Sequence, residues 1–257
     1  MTGPLETALR TKRAAGRKLL VPYLTGGLAG WTDAVRAAAA NGADAIEIGI
    51  PFSDPVMDGP VIQGASQRAL EAGATPTSVL DEAATLDVEV PLVAMTYYNL
   101  AFRAGHERFA ASLRRGGIAA CILPDLPLEE AGPWCEAADA AEVETVLLAA
   151  PTAPDERLPR ICARARGFVY AVGLLGVTGE RDHLASTAVT LARRLKAVTD
   201  VPVLIGVGVS NAAQAAEAAH VADGVIMGAS VVRRQLAGGA DAVGAFVAEV
   251  RAALDAV

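Results

Sequence analysis

The sequence predicts an α/β protein: a single (β/α)8 TIM barrel spanning residues 1–257, with an extra helix at its N-terminus. Eight short apolar runs alternate with Ala-, Arg- and Glu-rich stretches long enough for three or more helical turns. The length of 257 residues suits eight strand–helix units. The chain is 53% hydrophobic but only 4% aromatic, as expected for buried parallel strands built from Ala, Val, Leu and Ile.

Each of the eight apolar runs is expected to be one strand of the barrel. The segment before the first run, up to Lys18, is polar and basic, so it predicts the extra helix and no signal peptide. In chain order the predicted strands are Leu19–Leu24, Ala43–Ile50, Pro91–Tyr97, Ala119–Leu123, Glu144–Ala149, Gly167–Val172, Val201–Val207 and Gly224–Met227.

The residues between the runs are typical of helix and strand boundaries. Gly42 stands where a helix is expected to end in a left-handed residue. Pro91 and Pro202 favour extended backbone in the residues before them, at the starts of strands. Thr32-Asp33 and Ser210-Asn211 are expected to cap the helices that follow. A doubly wound open sheet is the alternative fold, but no GxGxxG motif follows the first strand.

Composition excludes several classes of protein. A net charge of −7 and a pI near 5.0 disfavour binding to nucleic-acid backbones. No stretch approaches the ~20 apolar residues of a membrane span. The cysteines are odd in number and lack paired spacing, so we expect reduced thiols and a cytoplasmic protein. They are Cys121, Cys135 and Cys162.

The second predicted strand carries a carboxylate in its middle. Glu47 lies within an apolar run, where an unpaired charge is costly. The loop that follows is rich in Pro, Gly and Asp and presents Asp54 and Asp58. A strand carboxylate with two more on the next loop indicates acid/base chemistry at the C-terminal ends of the strands. The alternative is a core glutamate satisfied by a neighbour, followed by ordinary turn aspartates.

Glycine-rich loops follow the sixth, seventh and eighth predicted strands. They let backbone N–H groups approach an anion beside helix N-termini, which predicts a phosphate site without Lys or Arg. The alternative is that these glycines serve tight turns only. The loops are Gly173–Gly179, Gly206–Ser210 and Met227–Ser230.

Other catalytic classes are disfavoured by what the strand ends lack. None of the three lysines lies where it could form a Schiff base at the barrel mouth. The three histidines have no metal-ligand spacing, although His183 follows the sixth strand's loop. Three carboxylates could hold Mg²⁺, but no basic group accompanies them for a second phosphate, so we predict no metal. The lysines are Lys12, Lys18 and Lys196, and the other two histidines are His106 and His220.

One segment is specific enough to indicate a family. Glu47–Gln63 (EIGIPFSDPVMDGPVIQ) closely resembles the signature of the tryptophan synthase alpha subunit, and the resemblance extends from about Leu20 to Val250. Four shorter motifs also match: Met95–Asn99, Leu123–Pro127, Gly176–Gly179 and Gly206–Ser210.

The resemblance implies a reaction and roles for two carboxylates. Members of this family cleave indole-3-glycerol phosphate to indole and glyceraldehyde 3-phosphate, a retro-aldol reaction that needs no cofactor. Glu47 is then the general acid/base, and burial should raise the pKa of its carboxyl towards neutrality. Asp58 accepts the indole N–H and stabilises positive charge on the ring. Tyr170 is expected to pack beside Asp58 and help place it.

The resemblance also implies where the two ends of the substrate bind. Five of the indole-side candidates are equally explained as ordinary core: Tyr23, Ile62, Met95, Tyr97 and Ile122. The indole side is expected to comprise Tyr170, Tyr23, Ile62, Met95, Tyr97, Ile122 and Thr178. The phosphate is expected to lie at Gly179, Gly208, Gly228, Ala229 and Ser230.

The family pattern further implies a partner. The loops Pro51–Asp58 and Leu174–His183 match those that face a beta subunit, with Pro51, Asp54 and Pro55 at the interface. The expected assembly is an alpha2beta2 heterotetramer. Pyridoxal phosphate is carried only by the beta chain, and indole passes directly to it.

Three departures from the family pattern leave alternatives open. Ala229 stands where many members have Ser, Leu28 where an Asp-Pro pair often follows the first strand, and Leu174 where some have Arg. The chain could instead be a stand-alone lyase supplying indole to a specialised pathway, or a weakly catalytic regulatory partner of a beta chain. A sugar-phosphate isomerase is disfavoured, because the first and fifth strands do not end in aspartates.

Overall fold

The computed structural model describes residues 2–173, 186–206 and 208–257. Eight parallel strands form a closed barrel in chain order, with β1 pairing both β2 and β8. The strands are β1 Leu19–Thr25, β2 Ile46–Gly49, β3 Leu92–Met95, β4 Ile118–Ile122, β5 Glu144–Ala149, β6 Val169–Val172, β7 Val203–Gly206 and β8 Gly224–Met227.

Helices occupy the outside of the barrel, and one precedes it. Among the described residues they are α1 Pro4–Ala14, α2 Trp31–Ala40, α3 Pro60–Glu71, α4 Pro76–Ala83, α5 Tyr98–Ala104, α6 His106–Arg115, α7 Gly132–Ala140, α8 Arg157–Arg164, α9 Ser186–Lys196, α10 Ala212–Ala219 and α11 Ala229–Asp255. None of these helices has the length and apolar character needed to cross a membrane.

The predicted barrel and its extra N-terminal helix are confirmed, with small shifts at element boundaries. Every predicted run contains a strand or overlaps one, although β2 begins at Ile46 rather than Ala43. The predicted cap at Thr32-Asp33 is wrong, because α2 begins at Trp31 and its N-cap is Gly30 in a left-handed conformation. Asn211 caps α10 as predicted, since its side chain accepts from the Gln214 N–H.

Alternation along the strands divides the core into two layers. Leu20 and Leu24 of β1 point outward and pack with the helices, whereas Leu19 and Val21 point into the barrel. Cys121 packs in the outer layer, and all three cysteines are free thiols. The barrel interior is therefore a packed core.

Helix α1 closes the base of the barrel, the end at which the strands begin. Leu5 and Leu9 are fully buried in the inner layer. Glu144, the first residue of β5, accepts hydrogen bonds from the backbone N–H groups of Leu5 (2.6 Å) and Glu6 (3.0 Å). A carboxylate distant in sequence thus caps the helix N-terminus, where negative charge is favoured.

A second buried carboxylate ties the two ends of the chain together at the base. Asp44 is fully buried, and its Oδ1 lies 2.7 Å from Nε of Arg17. Its Oδ2 lies 3.1 Å from Nη1 of Arg251 in α11 and accepts from the Leu20 N–H at 2.8 Å. Arg251 also donates to the carbonyl of Lys18 at 2.7 Å.

Helix α11 also completes the hydrogen bonding of β1 at the mouth, the end at which the strands finish. β8 ends too early to pair Thr25, and the side-chain amide of Gln235 takes its place. The amide Oε1 accepts from the Thr25 N–H at 3.0 Å, and its Nε2 donates to the Thr25 carbonyl at 2.9 Å. This pairing fixes the end of β1 at the mouth of the barrel.

Candidate active site

Glu47 lies in the middle of β2 and faces the barrel interior. Its neighbours in register are Tyr23 of β1 and Val93 of β3. Glu47 is 1% exposed, and its Oε2 has no hydrogen-bond partner among the described residues. Burial, and then the nearby charge of Asp58, raise the pKa of this carboxyl to about 8. Glu47 is therefore a protonated acid at neutral pH with a free oxygen available to a ligand.

Asp58 lies at the end of the loop after β2 and is 5% exposed. Burial raises the pKa of its carboxyl to about 6, and a hydrogen bond from the Tyr97 hydroxyl opposes that rise. The two oxygens of this hydrogen bond are 3.1 Å apart. No Lys, Arg or His in the described part of the chain forms an ion pair with Asp58 or Glu47. At neutral pH the site thus holds one ionised and one protonated carboxyl.

The loop between β2 and α3 is held by its own hydrogen bonds and by one glutamine. The Asp58 N–H donates to the Pro55 carbonyl at 3.0 Å, which closes a tight turn. Gln63 in the first turn of α3 donates through Nε2 to the carbonyls of Asp58 (2.8 Å) and Pro55 (3.3 Å). These hydrogen bonds therefore fix the backbone that carries Asp58.

Tyr23 of β1 and Tyr170 of β6 each place a hydroxyl over a glycine at the end of the strand that follows. A Cβ atom at Gly49 of β2 would collide with the hydroxyl of Tyr23, and one at Gly206 of β7 with the hydroxyl of Tyr170. Burial and the charges of Asp58 and Glu47 raise the pKa of both phenols. The glycines thus make room for two neutral hydroxyls that face the two carboxylates.

The predicted indole-side residues fall into separate groups. Tyr23, Ile62 and Met95 belong to one apolar cluster at the mouth, between β1, α3 and α11. Ile122 is fully buried in the inner layer of the barrel. Tyr170 packs against that inner layer, and the described residues show no hydrogen bond between it and Asp58.

The hydrogen bond to Asp58 comes instead from Tyr97, which was predicted only as part of the apolar slot. The sequence carries a signal for Tyr97 in the motif Met95–Asn99, directly after β3. Nothing local in that motif shows which side chain across the barrel mouth it meets. Thr178, another predicted residue of this side, lies outside the described residues.

The predicted phosphate side is formed by the turn after β7 and the start of α11. Gly208 has a φ of +92°, a conformation that favours glycine, and Gly228 is the N-cap of α11. The N–H groups of Ala229 and Ser230 begin that helix, so they have no acceptor within it. Ser230 is 1% exposed, and its Oγ is unpartnered among the described residues. Gly179 lies outside the described residues.

The predicted partner residues differ in exposure. Asp54 is exposed and Pro55 is partly exposed, but Pro51 is buried and forms the base of the loop. Two exposed apolar side chains carry no signal in the sequence pattern: Val56 in the same loop (73% exposed) and Phe102 of α5 (63% exposed). The other predicted partner-facing loop, Leu174–His183, lies outside the described residues.

Comparisons with known proteins give one consistent result. The family model described as tryptophan synthase alpha chain matches residues 9–252. A tryptophan synthase alpha chain of Streptomyces coelicolor is 46% identical over 93% of this chain and 90% of its own. One of Thermobifida fusca is 46% identical over 90% of this chain and 88% of its own.

Solved structures agree with the sequence relatives. A Mycobacterium tuberculosis tryptophan synthase structure is 37% identical, with a TM-score of 0.91 over 99% of both chains. A tryptophan synthase subunit alpha from Legionella pneumophila is 30% identical, with a TM-score of 0.90 over the full length of both chains.

Proposed function

The chain belongs to the tryptophan synthase alpha chain family, and we propose that Glu47 and Asp58 carry the reaction at its barrel mouth. It is a carbon–carbon lyase that cleaves indole-3-glycerol phosphate to indole and glyceraldehyde 3-phosphate. The observation that carries the assignment of residues is the pair of buried carboxyls that have no cation partner among the described residues. One has a free oxygen and a pKa of about 8, and the other a pKa of about 6.

The first step makes the indole ring an electron sink. Protonated Glu47 donates its proton to C3 of the indole, which places positive charge on the ring nitrogen. Ionised Asp58 accepts a hydrogen bond from the ring N–H and stabilises that charge. In the buried site this interaction is much stronger than in water.

The second step breaks the bond between C3 and the side chain. The Glu47 carboxylate takes the proton of the adjacent side-chain hydroxyl, whose oxygen becomes the aldehyde carbonyl. The electrons of the broken bond return to the ring and neutralise its nitrogen. One proton is given and one is taken, so Glu47 ends as it began, and the reaction needs no cofactor.

The rest of the site orients the substrate. Tyr23, Ile62 and Met95 provide the apolar side for the ring. The phosphate is held by backbone N–H groups at Gly208 and at the start of α11, where the helix dipole favours an anion. Ala229 contributes only its N–H, since it lacks a hydroxyl.

A beta chain is the partner that the family suggests. We infer that this partner docks at the barrel mouth around Asp54 and Pro55 in an alpha2beta2 assembly, brings pyridoxal phosphate with it and receives indole directly. The exposed Val56 supports a protein contact here. We also infer that the protein works in the cytoplasm, in keeping with three free thiols.

The test is indole release from indole-3-glycerol phosphate by the purified chain, alone and with a tryptophan synthase beta chain. We expect slow release alone, faster release with the partner, and a loss of about 10²–10⁴ in turnover for Glu47→Gln. Glu89→Gln, at an exposed glutamate before β3, is the matched control and should retain full turnover.

Each outcome assigns the protein differently. Near-normal turnover of Glu47→Gln would remove Glu47 from the mechanism. Rapid release by the chain alone, of order 1 s⁻¹ or more, would instead identify a stand-alone lyase. Acceleration of the partner without any indole release would identify a regulatory subunit.

A further inference from the structure

Tyr97 makes two hydrogen bonds through one hydroxyl. It follows β3, is the N-cap of α5 and is 4% exposed. The Met57 N–H donates to its Oη at 3.0 Å. Because that bond uses the oxygen as an acceptor, the single hydroxyl proton is free to be donated to Oδ2 of Asp58, 3.1 Å away. The phenol therefore joins the backbone of the loop to the catalytic carboxylate.

The ring of Tyr97 holds the other end of the same loop. It stacks on Phe52 with centroids 5.1 Å apart and planes inclined by 19°. Phe52 lies near the start of the loop and Asp58 near its end, so one side chain that follows β3 contacts both parts of the loop. The exposed residues Asp54 and Val56 lie in the loop between these two contacts.

The direction of the Tyr97 hydrogen bond matters for the charge of Asp58. A donor at Oδ2 stabilises the ionised carboxyl, and burial acts against it. It also fixes the carboxyl plane and leaves Oδ1 for the N–H of the substrate ring. A protonated or rotated Asp58 would balance the developing ring charge poorly.

We propose that Tyr97 is the positioning residue of Asp58: its hydroxyl keeps that carboxylate ionised and oriented while its ring anchors the start of the loop. The inference rests on the proposed function, because it assigns Tyr97 a role in the same reaction. It differs from the expectation that Tyr170 places Asp58, and it gives the two tyrosines separate tasks.

The test compares Tyr97→Phe with Tyr98→Phe. The first removes only the hydroxyl and keeps the stacked ring. The second removes a neighbouring hydroxyl that lies 3.0 Å from Nε2 of His106, away from the carboxylates. We expect Tyr97→Phe to lower kcat by about 10- to 100-fold with a much smaller change in KM. The acidic limb of its kcat/KM profile should move up by about half to one pH unit. Tyr98→Phe should change neither.

A double variant separates positioning from a general structural role. If Tyr97 acts through Asp58, adding Tyr97→Phe to Asp58→Asn should cost almost nothing further. Additive losses, or an unshifted acidic limb in Tyr97→Phe, would overturn the proposal. Carbon-13 NMR titration of the Asp58 carboxyl, assigned with Asp58→Asn, reads the same shift without turnover. If the wild-type chain releases no indole, the proposed function fails, and this titration still decides the role of Tyr97.

Discussion

At the base of the barrel the buried carboxylates lie beside cations or helix N–H groups, whereas those at the mouth have no such partner among the described residues. Asp44 contacts Arg17 and Arg251, and Glu144 caps α1. Glu47 and Asp58, equally buried, have no cation partner in the described part of the chain. The partnered carboxylates hold the fold together, whereas burial without a cation raises the pKa of the Glu47 and Asp58 carboxyls to where protons can be exchanged. The two ends therefore differ in purpose although they share a residue type.

The largest expected effect would come from removing charge at the base. Asp44→Asn leaves Arg251 with only the half-exposed Asp255 as a carboxylate partner among the described residues, so we expect unfolding to become about 3–5 kcal/mol easier. Glu47→Gln, at an equally buried carboxyl, should cost no stability at about pH 8, where it removes an unfavourable charge. Urea unfolding of both variants measures the difference. Equal losses of unfolding free energy in the two variants would contradict the distinction between carboxylates at the base and at the mouth.

The pH dependence of the free energy of unfolding should report on Glu47 at the mouth of the barrel. The pKa of Glu47 is raised in the folded state from 4.5 to about 8, so the folded chain holds this proton more tightly than the unfolded chain. Its contribution is thus most favourable below pH 4.5 and is lost as the pH rises through 8. Relative to Glu47→Gln, the wild type should lose on the order of a few kcal/mol across that window. A constant difference between the two proteins would contradict the raised pKa.

Turnover should follow the same two groups in a bell-shaped profile. Asp58 must be ionised and Glu47 protonated for the first step, so kcat/KM should rise to about pH 6 and fall beyond about pH 8. Each limb should approach a tenfold change per pH unit, about 1.4 kcal/mol. Steady-state rates of indole release measure this. A profile that stays flat through both values would assign proton transfer to other groups.

The smallest expected effect lies on the phosphate side. Ala229→Ser adds one hydroxyl at the start of α11, and one new hydrogen bond of about 1 kcal/mol should lower KM roughly fivefold. The value of kcat should change little, because the phosphate is remote from the bond that breaks. Ala237→Ser, at an exposed position further along α11, is the matched control. An unchanged KM would show that backbone N–H groups already satisfy the phosphate.

The two carboxylates at the mouth could be predicted from the sequence, because each stands out in the local pattern of residues around it. Glu47 stands out because a carboxylate interrupts an apolar strand, and Asp58 because it follows in a distinctive loop. The eight short apolar runs also located every strand to within a few residues.

The remaining features depend on contacts between distant segments. Tyr97 and Tyr170 both lie in or beside an apolar strand, and no local pattern tells which one reaches Asp58. The pairing of Gln235 with Thr25 arises only because β8 ends before β1 does. The start of α2 was misplaced because Gly30, rather than a side-chain oxygen, is its N-cap. Such features are fixed when the barrel closes.

The contacts of Arg251 have a consequence for how the barrel is made. They join α11 to Asp44, 207 positions earlier, and to Lys18, 233 positions earlier. During synthesis these contacts must wait until the last helix has left the ribosome, because Arg251 lies in that helix. Long-range closures of this kind are slow to form. We expect Arg251→Met to delay the final folding phase more than any step before it, as stopped-flow refolding would show.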